Sequence, residues 1–445
     1  MTTNISYQPT PGLSYDTKDE RYWDRDALNG ELERAFELCH GCRMCFKYCD
    51  SFKDLFRFVD AHDGDVTKVT FDETSQVMNA CFQCKLCEVE CPYTPRGGHE
   101  FQLDFPRLVH RFRAVEGREH GHSVRDRVLG DPDTTSKFAR MSLGLANAAN
   151  NVAPHRWMME KLLGVHRDKL LPDFAPRTFE SEAKANGESF DDLEAEAVLF
   201  QTCYVQNNEP AIGHDALEVM KANGVPTTCV KGLECCGMPA WEYGNLEQVR
   251  KQAKANLDRL SPFVERGAKV VALNPTCSMM LRQEYPELVG PEDKERADAL
   301  AAAVRDAGEL LWDIRKEERF AESKSSPGQT FAYHAPCHLR AQRVGFRGRD
   351  VIRKQTGSKP SMALECCGHD GTYAMKVEGF EKSQIYGRKA FADMKEAGSE
   401  VWVTDCPLAA VQFQQHAGKK PMHPMTVLAR SYREDGFPSD PGEET

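Results

Sequence analysis

A chain of 445 residues, 40% of them hydrophobic, is long enough for about two to four domains with sizeable cores. Its net charge of -11 argues against nucleic acid as the main partner, and it lacks a run of about 18 apolar residues that could span a membrane. The 17 cysteines are too many for an ordinary core, and the opening MTTNISYQPTPG has neither the basic nor the apolar region of an export signal. Metal binding in a cytoplasmic protein is therefore expected, rather than disulfides.

Residues 1–30 are polar, carry Pro9 and Pro11, and read as an extended arm. A helix over 32–38 leads into Cys39, Cys42, Cys45 and Cys49, spaced C-x2-C-x2-C-x3-C. After a helix over 54–59 and a turn at 62–65, a helix over 74–80 leads into Cys81, Cys84, Cys87 and Cys91, which repeat that spacing before Pro92. Three thiolates separated by two residues can wrap one face of an iron–sulfur cube. The fourth cysteine lies too far along to close the same cube comfortably, and in two-cluster ferredoxins it crosses to the other cluster. By that rule Cys39, Cys42, Cys45 and Cys91 hold one [4Fe-4S] cluster, and Cys81, Cys84, Cys87 and Cys49 hold the second. Zinc prefers two pairs of ligands around a longer loop and closes at four, which this pattern fits badly. Asp50 replaces the usual proline after the first run without removing a ligand. A helix over 101–112, whose basic residues read as a solvated face, completes a two-cluster ferredoxin-like domain over 31–130.

From 136 to 174 the composition turns to Ala, Leu, Met and Asn. Met141, Leu145, Trp157, Met158, Leu162 and Leu163 can line an amphipathic helix pair joined at Pro154. Such a stripe is ordinarily inter-domain core, and otherwise a surface for a partner or the membrane interface. A polar linker over 176–192 ends this helical segment, taken as 131–192. Strands are then expected at 197–201, 226–230, 269–274, 330–334, 362–364 and 400–404. They alternate with helices at 211–222, 246–260, 296–315, 380–395 and 425–432, which argues for α/β layers around a partly parallel sheet. Residues 434–445 read as a disordered tail.

The cysteines indicate that this half is one unit written twice. Cys203 after a strand, Cys235-Cys236-Gly237 on a turn and Cys277 after a strand are matched by Cys337, Cys366-Cys367-Gly368 and Cys406, at offsets that differ by only a few residues. Cys203, Cys235, Cys236 and Cys277 thus form a first candidate metal site within a domain over 193–322. Cys337, Cys366, Cys367 and Cys406 form a second, within a domain over 323–433. Strand ends of open α/β sheets are where ligands gather, and two such units facing each other would bring the sites together. Cys229 has no counterpart and reads as a core thiol. His334, His338 and His369 flank the second site; structural hydrogen bonding is the first reading for each, proton delivery the second. Tyr333 and Tyr373 read as packing, and no residue is assigned a catalytic role. The fold class is α+β multidomain: an α-helical bis-[4Fe-4S] ferredoxin domain followed by two tandem α/β cysteine-rich (CCG) repeats.

The repeat resembles the cysteine-rich domains of the heterodisulfide reductase B component, glycolate oxidase iron–sulfur subunits and lactate-utilisation proteins. With the ferredoxin doublet in front, the chain looks most like the family of the C subunit of anaerobic glycerol-3-phosphate dehydrogenase. Cys203-Tyr204-Val205, Glu234-Cys235-Cys236-Gly237, Arg282-Gln283-Glu284-Tyr285-Pro286-Glu287, His334-Ala335-Pro336-Cys337-His338, Thr404-Asp405-Cys406 and His423-Pro424 carry the likeness. It implies an electron-transfer subunit, with the organic substrate (glycerol 3-phosphate or a 2-hydroxy acid) oxidised by a separate flavoprotein dehydrogenase. Electrons would pass through the cubanes toward quinone or another acceptor, with peripheral contact at the cytoplasmic membrane. In the heterodisulfide reductase component each repeat ends C-x2-C and holds a noncubane cluster. Here the endings are Cys277-Ser278-Met279-Met280 and Cys406-Pro407-Leu408-Ala409, so a four-thiolate cluster or zinc becomes the expectation. No G-x-G-x-x-G follows a strand, so neither flavin nor nicotinamide is expected in this chain. Two other readings are a relay to a rubrerythrin-type peroxidase and a heterodisulfide reductase-like enzyme with catalysis at a CCG site.

Overall fold

The computed structural model describes residues 5–324, 329–369, 371–434 and 436. Most of the expected tail lies outside them. The chain divides into two compact units, Met1–Gly130 with Pro239–Glu247, and Asp131–Met238 with Gln248–Thr445.

The first unit is helical. Its leading helix is longer than the sequence suggests, running from Arg25 to Cys42, and a short turn of helix, Glu20–Trp23, precedes it. The expected arm is therefore partly helical, and Tyr22 and Leu28 are buried. Asp24 starts the long helix by accepting the Ala27 N–H. Arg34, fully buried, pairs with Glu31 one turn earlier and donates to the Tyr7 and Phe101 carbonyls at 2.8 Å each. A charge removed from water needs partners of this kind. Helix Asp50–Ala61 lies between the cysteine runs, and Ser51 Oγ donates to the Val77 carbonyl of helix Phe71–Asn79 at 2.8 Å. Helix Phe105–His120 closes the unit, and its Arg113 donates to the Met78 and Cys81 carbonyls at 2.9 and 2.8 Å. Trp241, from the returning segment, stacks on His110 with ring centres 4.1 Å apart and lies under Lys85.

The second unit holds two parallel sheets. The first is ordered β2-β1-β3-β4, with β1 Ala197–Phe200, β2 Thr227–Cys229, β3 Lys269–Ala272 and β4 Val304–Asp306. The second is ordered β6-β5-β7, with β5 Phe331–His334, β6 Ser361–Ala363 and β7 Val401–Thr404. The central strands β1 and β5 are buried along their whole length, as expected when helices cover both faces. One hydrophobic cluster joins the two halves, combining Leu199 and Val271 with Tyr333, Val401 and Val403.

Three local expectations are corrected. Instead of one helix over 296–315, helix Lys294–Ala303 stops, β4 pairs Val304 with Val270, and a capping box between Asp306 and Glu309 starts helix Ala307–Asp313. The linker over 176–192 contains helix Phe179–Ala185, anchored by buried Phe179. The apolar stripe over 136–174 is not core: Leu162 is 74% exposed, Leu143 is 94% exposed, and Met141, Leu145, Trp157 and Met158 are also exposed.

Candidate metal centres

In the first unit the last cysteine of each run lies beside the other run, Cys91 near Cys39 and Cys45, and Cys49 near Cys81 and Cys87. Cys39 lies among Cys45, Cys91 and Cys42, and burial followed by these neighbours pushes its thiol well above the ordinary range. Burial, then Cys91 and Cys42, pushes Cys45 up to about 12. Cys87 lies among Cys84, Cys81, Cys45 and Cys49, and Cys49 has Cys81 beside it; burial is the main cause of the rise at both. Cys49 stands at the N-terminus of helix Asp50–Ala61, where the Ser51 and Phe52 backbone groups oppose the rise of its thiol. A helix N-terminus favours thiolate. Arg43 (φ 53°) and Lys85 (φ 58°), at matching positions of the two runs, are both left-handed. The chain folds tightly around each sulfur set there. Gln83 N–H donates to Cys81 Sγ at 3.4 Å. Cys49, Cys81, Cys84 and Cys87 are buried and Cys39, Cys42, Cys45 and Cys91 half-buried; thiols gathered in this way need a soft cation to lose their protons, and an iron–sulfur cluster supplies it. The donor set fits two such groups.

In the second unit the cysteines sit just beyond the carboxyl ends of the parallel strands, where connections leave in opposite directions. In the first repeat Cys203 follows β1, the Cys235-Cys236 pair follows β2 and Cys277 follows β3. Cys203 and Cys235 sulfurs are 3.6 Å apart, Cys235 touches Cys236, and Cys236 touches Cys277, so the four thiols form a continuous row, buried except at the half-buried Cys203. Contact with Cys235, then burial, drives Cys203 far above the ordinary range; contact with Cys236 lowers Cys277, yet burial leaves it at about 11. The position at which a fifth cysteine would follow Cys277 is filled by the fully buried Met280. Four soft donors strung in a row, no three of them within 4.8 Å of one another, suit a four-thiolate cluster better than a single ion.

The second repeat copies this placement. His334 at the end of β5 pairs in register with Ala363 and Thr404, so all three strand ends are level. Its Nδ1 lies 3.1 Å from Thr404 Oγ1 and its Nε2 lies 3.2 Å from the Glu365 carbonyl, joining the Cys366 turn to the Cys406 loop. Burial lowers this histidine to about 4, so it stays neutral. Its role is structural. Gly368 (φ 75°) follows the cysteine pair and donates its N–H to Cys366 Sγ at 3.2 Å. A Cβ at Gly368 would meet the Ser383 carbonyl oxygen at 2.0 Å, so only glycine lets helix Val377–Glu396 press against this turn. His338, beside Cys337, lies 2.8 Å from Thr276 Oγ1, beside Cys277. The charge of Cys406 also reaches Cys277. The two cysteine sets are neighbours.

Sequence reasoning missed two residues here. Asp133, on helix Pro132–Met141, accepts the Cys235 N–H at 2.7 Å. Lys169, 2% exposed, donates from Nζ to Gln412 Oε1 at 2.5 Å, and charge at Cys367 acts on it. Both belong to the helical segment, where no motif marks them. Tyr333 donates to Asp405, the residue before Cys406, and Cys229 lies in the core as a buried thiol of β2.

The cysteine-rich CCG domain family matches residues 197–282 and 331–414, and the 4Fe-4S dicluster domain family matches residues 38–94. The chain is an iron–sulfur protein with one dicluster domain and two CCG domains. It is 28% identical over 311 residues to the C subunit of anaerobic glycerol-3-phosphate dehydrogenase from Escherichia coli (strain K12), covering 69% of this chain and 77% of that protein. It is 26% identical over 215 residues to lactate utilization protein A of Bacillus pumilus, covering 47% of this chain and 86% of the relative. The lactate utilization protein A of Shouchella clausii is 26% identical over 193 residues, covering 42% of this chain and 77% of its own length. These similarities make the CCG-domain chain an iron–sulfur electron-transfer subunit. The helical ferredoxin-like region followed by two parallel α/β repeats agrees with the fold class read from sequence. Among the described residues no helix is long and apolar enough to cross a membrane.

Proposed function

We propose that this chain carries electrons from a partner flavoprotein dehydrogenase, of the glycerol 3-phosphate or 2-hydroxy acid type, to quinone. The observation that carries the reading is the nearness of Cys91 to Cys39 and of Cys49 to Cys81, with Cys45 beside Cys87. In this reading Cys39, Cys42, Cys45 and Cys91 hold one [4Fe-4S] cluster and Cys81, Cys84, Cys87 and Cys49 hold the other. Such clusters store one electron with little rearrangement, and their potentials are set by burial and by hydrogen bonds to sulfur. The Gln83 N–H, which donates to Cys81 Sγ at 3.4 Å, supplies one such hydrogen bond. The cysteines at 203, 235, 236 and 277, and those at 337, 366, 367 and 406, hold two further iron–sulfur groups that take the electrons onward. The name of the Escherichia coli relative supports a dehydrogenase as partner. The exposed apolar residues of helices Pro132–Met141 and Ala153–Leu163 offer a surface for the membrane interface, where quinone resides.

The test is an iron, zinc and sulfide count on anaerobically purified protein, with EPR of the reduced form. Clearly more than about eight irons is expected, with part of the signal lost in Cys235→Ala and Cys366→Ala but kept in Cys39→Ala. A count of about eight would confine electron transfer to the dicluster domain. Oxidation of the reduced protein by a soluble quinone analogue tests the acceptor; no oxidation refutes it.

A further inference from the structure

The two CCG sites are near copies in their cysteines, yet the segment preceding them gives each a different charge, a half-buried carboxylate at the first and a buried ammonium at the second. Asp133 stands against the first set: its Oδ2 accepts the Cys235 N–H at 2.7 Å, and its charge acts on both Cys203 and Cys235. Asn207 also bonds to it, and Arg140, half-exposed, donates to Asn207 from the far side. Lys169 stands against the second set, fixed by Gln412, which in turn donates to Ser383 Oγ at 3.3 Å. His369 and His416 lie beside the ammonium, and charge at Cys367 acts on it. Both family matches begin or end outside these residues, which lie between 94 and 197.

We propose that Asp133 and Lys169 polarise the pair, so that an electron on the metal group of the first CCG site passes to that of the second. A fixed carboxylate disfavours added negative charge at the first site, and a fixed ammonium favours it at the second. In each transfer the first-site group is oxidised by one electron and the second-site group is reduced by one. A reduced iron–sulfur carrier refills the first site. A quinone-class oxidant empties the second, taking two electrons and two protons for each quinone reduced. The proximity of the sites, with the Thr276–His338 contact between them, suits such a step. Asp133 and Lys169 are positioning residues: each acts through the charge it places beside a cysteine set. The inference rests on the reading that both CCG sites hold one-electron groups.

The experiment is an EPR-monitored redox titration of the full-length anaerobic protein, with metal analysis of every sample. The first-site signal is assigned as the one lost in Cys203→Ala, and the second-site signal as the one lost in Cys406→Ala. The first-site midpoint is expected below the second-site midpoint. Asp133→Asn should raise the first-site midpoint by at least a tenfold change in the reduction equilibrium, about 59 mV for one electron, without moving the second. Lys169→Met should lower the second by a similar amount, and Lys169→Arg should restore it. Reversed order, or variants that leave both midpoints in place or move them together, would overturn the inference while the iron content upholds the reading beneath it. Zinc, or no iron beyond the dicluster domain, would overturn both.

Discussion

Removing the imidazole of His334 should loosen the second CCG site from within. In His334→Ala the Glu365 carbonyl and Thr404 Oγ1 each lose a buried partner, at about 1 kcal/mol apiece. The ring also packs edge-on against Phe413 with centres 4.9 Å apart. Its removal leaves a void of roughly 60 Å³, which at about 24 cal/mol per Å³ adds about 1.5 kcal/mol. The total is about 3.5 kcal/mol, measurable by anaerobic urea denaturation. The same loss frees the turn carrying Cys366 and the loop carrying Cys406, so metal affinity at this site should drop about 10–100-fold. Chelator competition in a Cys235→Ala background, where the first site is disabled, isolates that affinity. A stability loss below about 1 kcal/mol, or unchanged affinity, would refute the reasoning.

Three further outcomes are expected. Cys91→Ala should delete the same EPR signal as Cys42→Ala, and Cys49→Ala the same signal as Cys84→Ala; the opposite pairing would mean that each run closes its own cube. Burial holds His334 and His423 at about 4, below the ordinary imidazole value of about 6.5. Because the unfolded chain binds the extra protons, stability present above about pH 6.5 should fall as pH drops toward 4, by about 3 kcal/mol per histidine, and a flat denaturation profile across that window would contradict it. Leu143→Glu with Leu162→Glu should weaken sedimentation with lipid vesicles at least tenfold, about 1.4 kcal/mol, without changing metal content. Equal sedimentation of the variant and the parent protein would remove the membrane from the proposal.

Periodic signals were legible in the sequence, and contacts across the fold were not. The two cysteine runs and the doubled Cys-Cys-Gly unit lie in local spacing, and the strands carrying them stood out because β1 is wholly apolar and β5 and β7 are apolar or aromatic up to His334 and Thr404. β4 was hidden because Val304–Asp306 is a three-residue edge strand between alanine-rich helices, and only its pairing with β3 defines it. The stripe from Met141 to Leu162 has the period of a buried helix face, and period alone does not say which side faces solvent. Asp133 and Lys169 were invisible for another reason. Each is separated from its cysteine by about 100 residues or more, Asp133 from Cys235 and Lys169 from Cys367, and only folding brings them together.

The close seat of Gly368 against the Ser383 carbonyl has a consequence for biogenesis. A turn pinned by a helix backbone, a histidine bridging two loops and level strand ends together shape the cysteine cradle through protein packing alone. Small zinc modules, by contrast, remain unfolded until their ion arrives. This CCG repeat can therefore complete its fold first and take delivery of its inorganic group afterwards, so a cell starved of iron would accumulate a folded apoprotein ready for later loading.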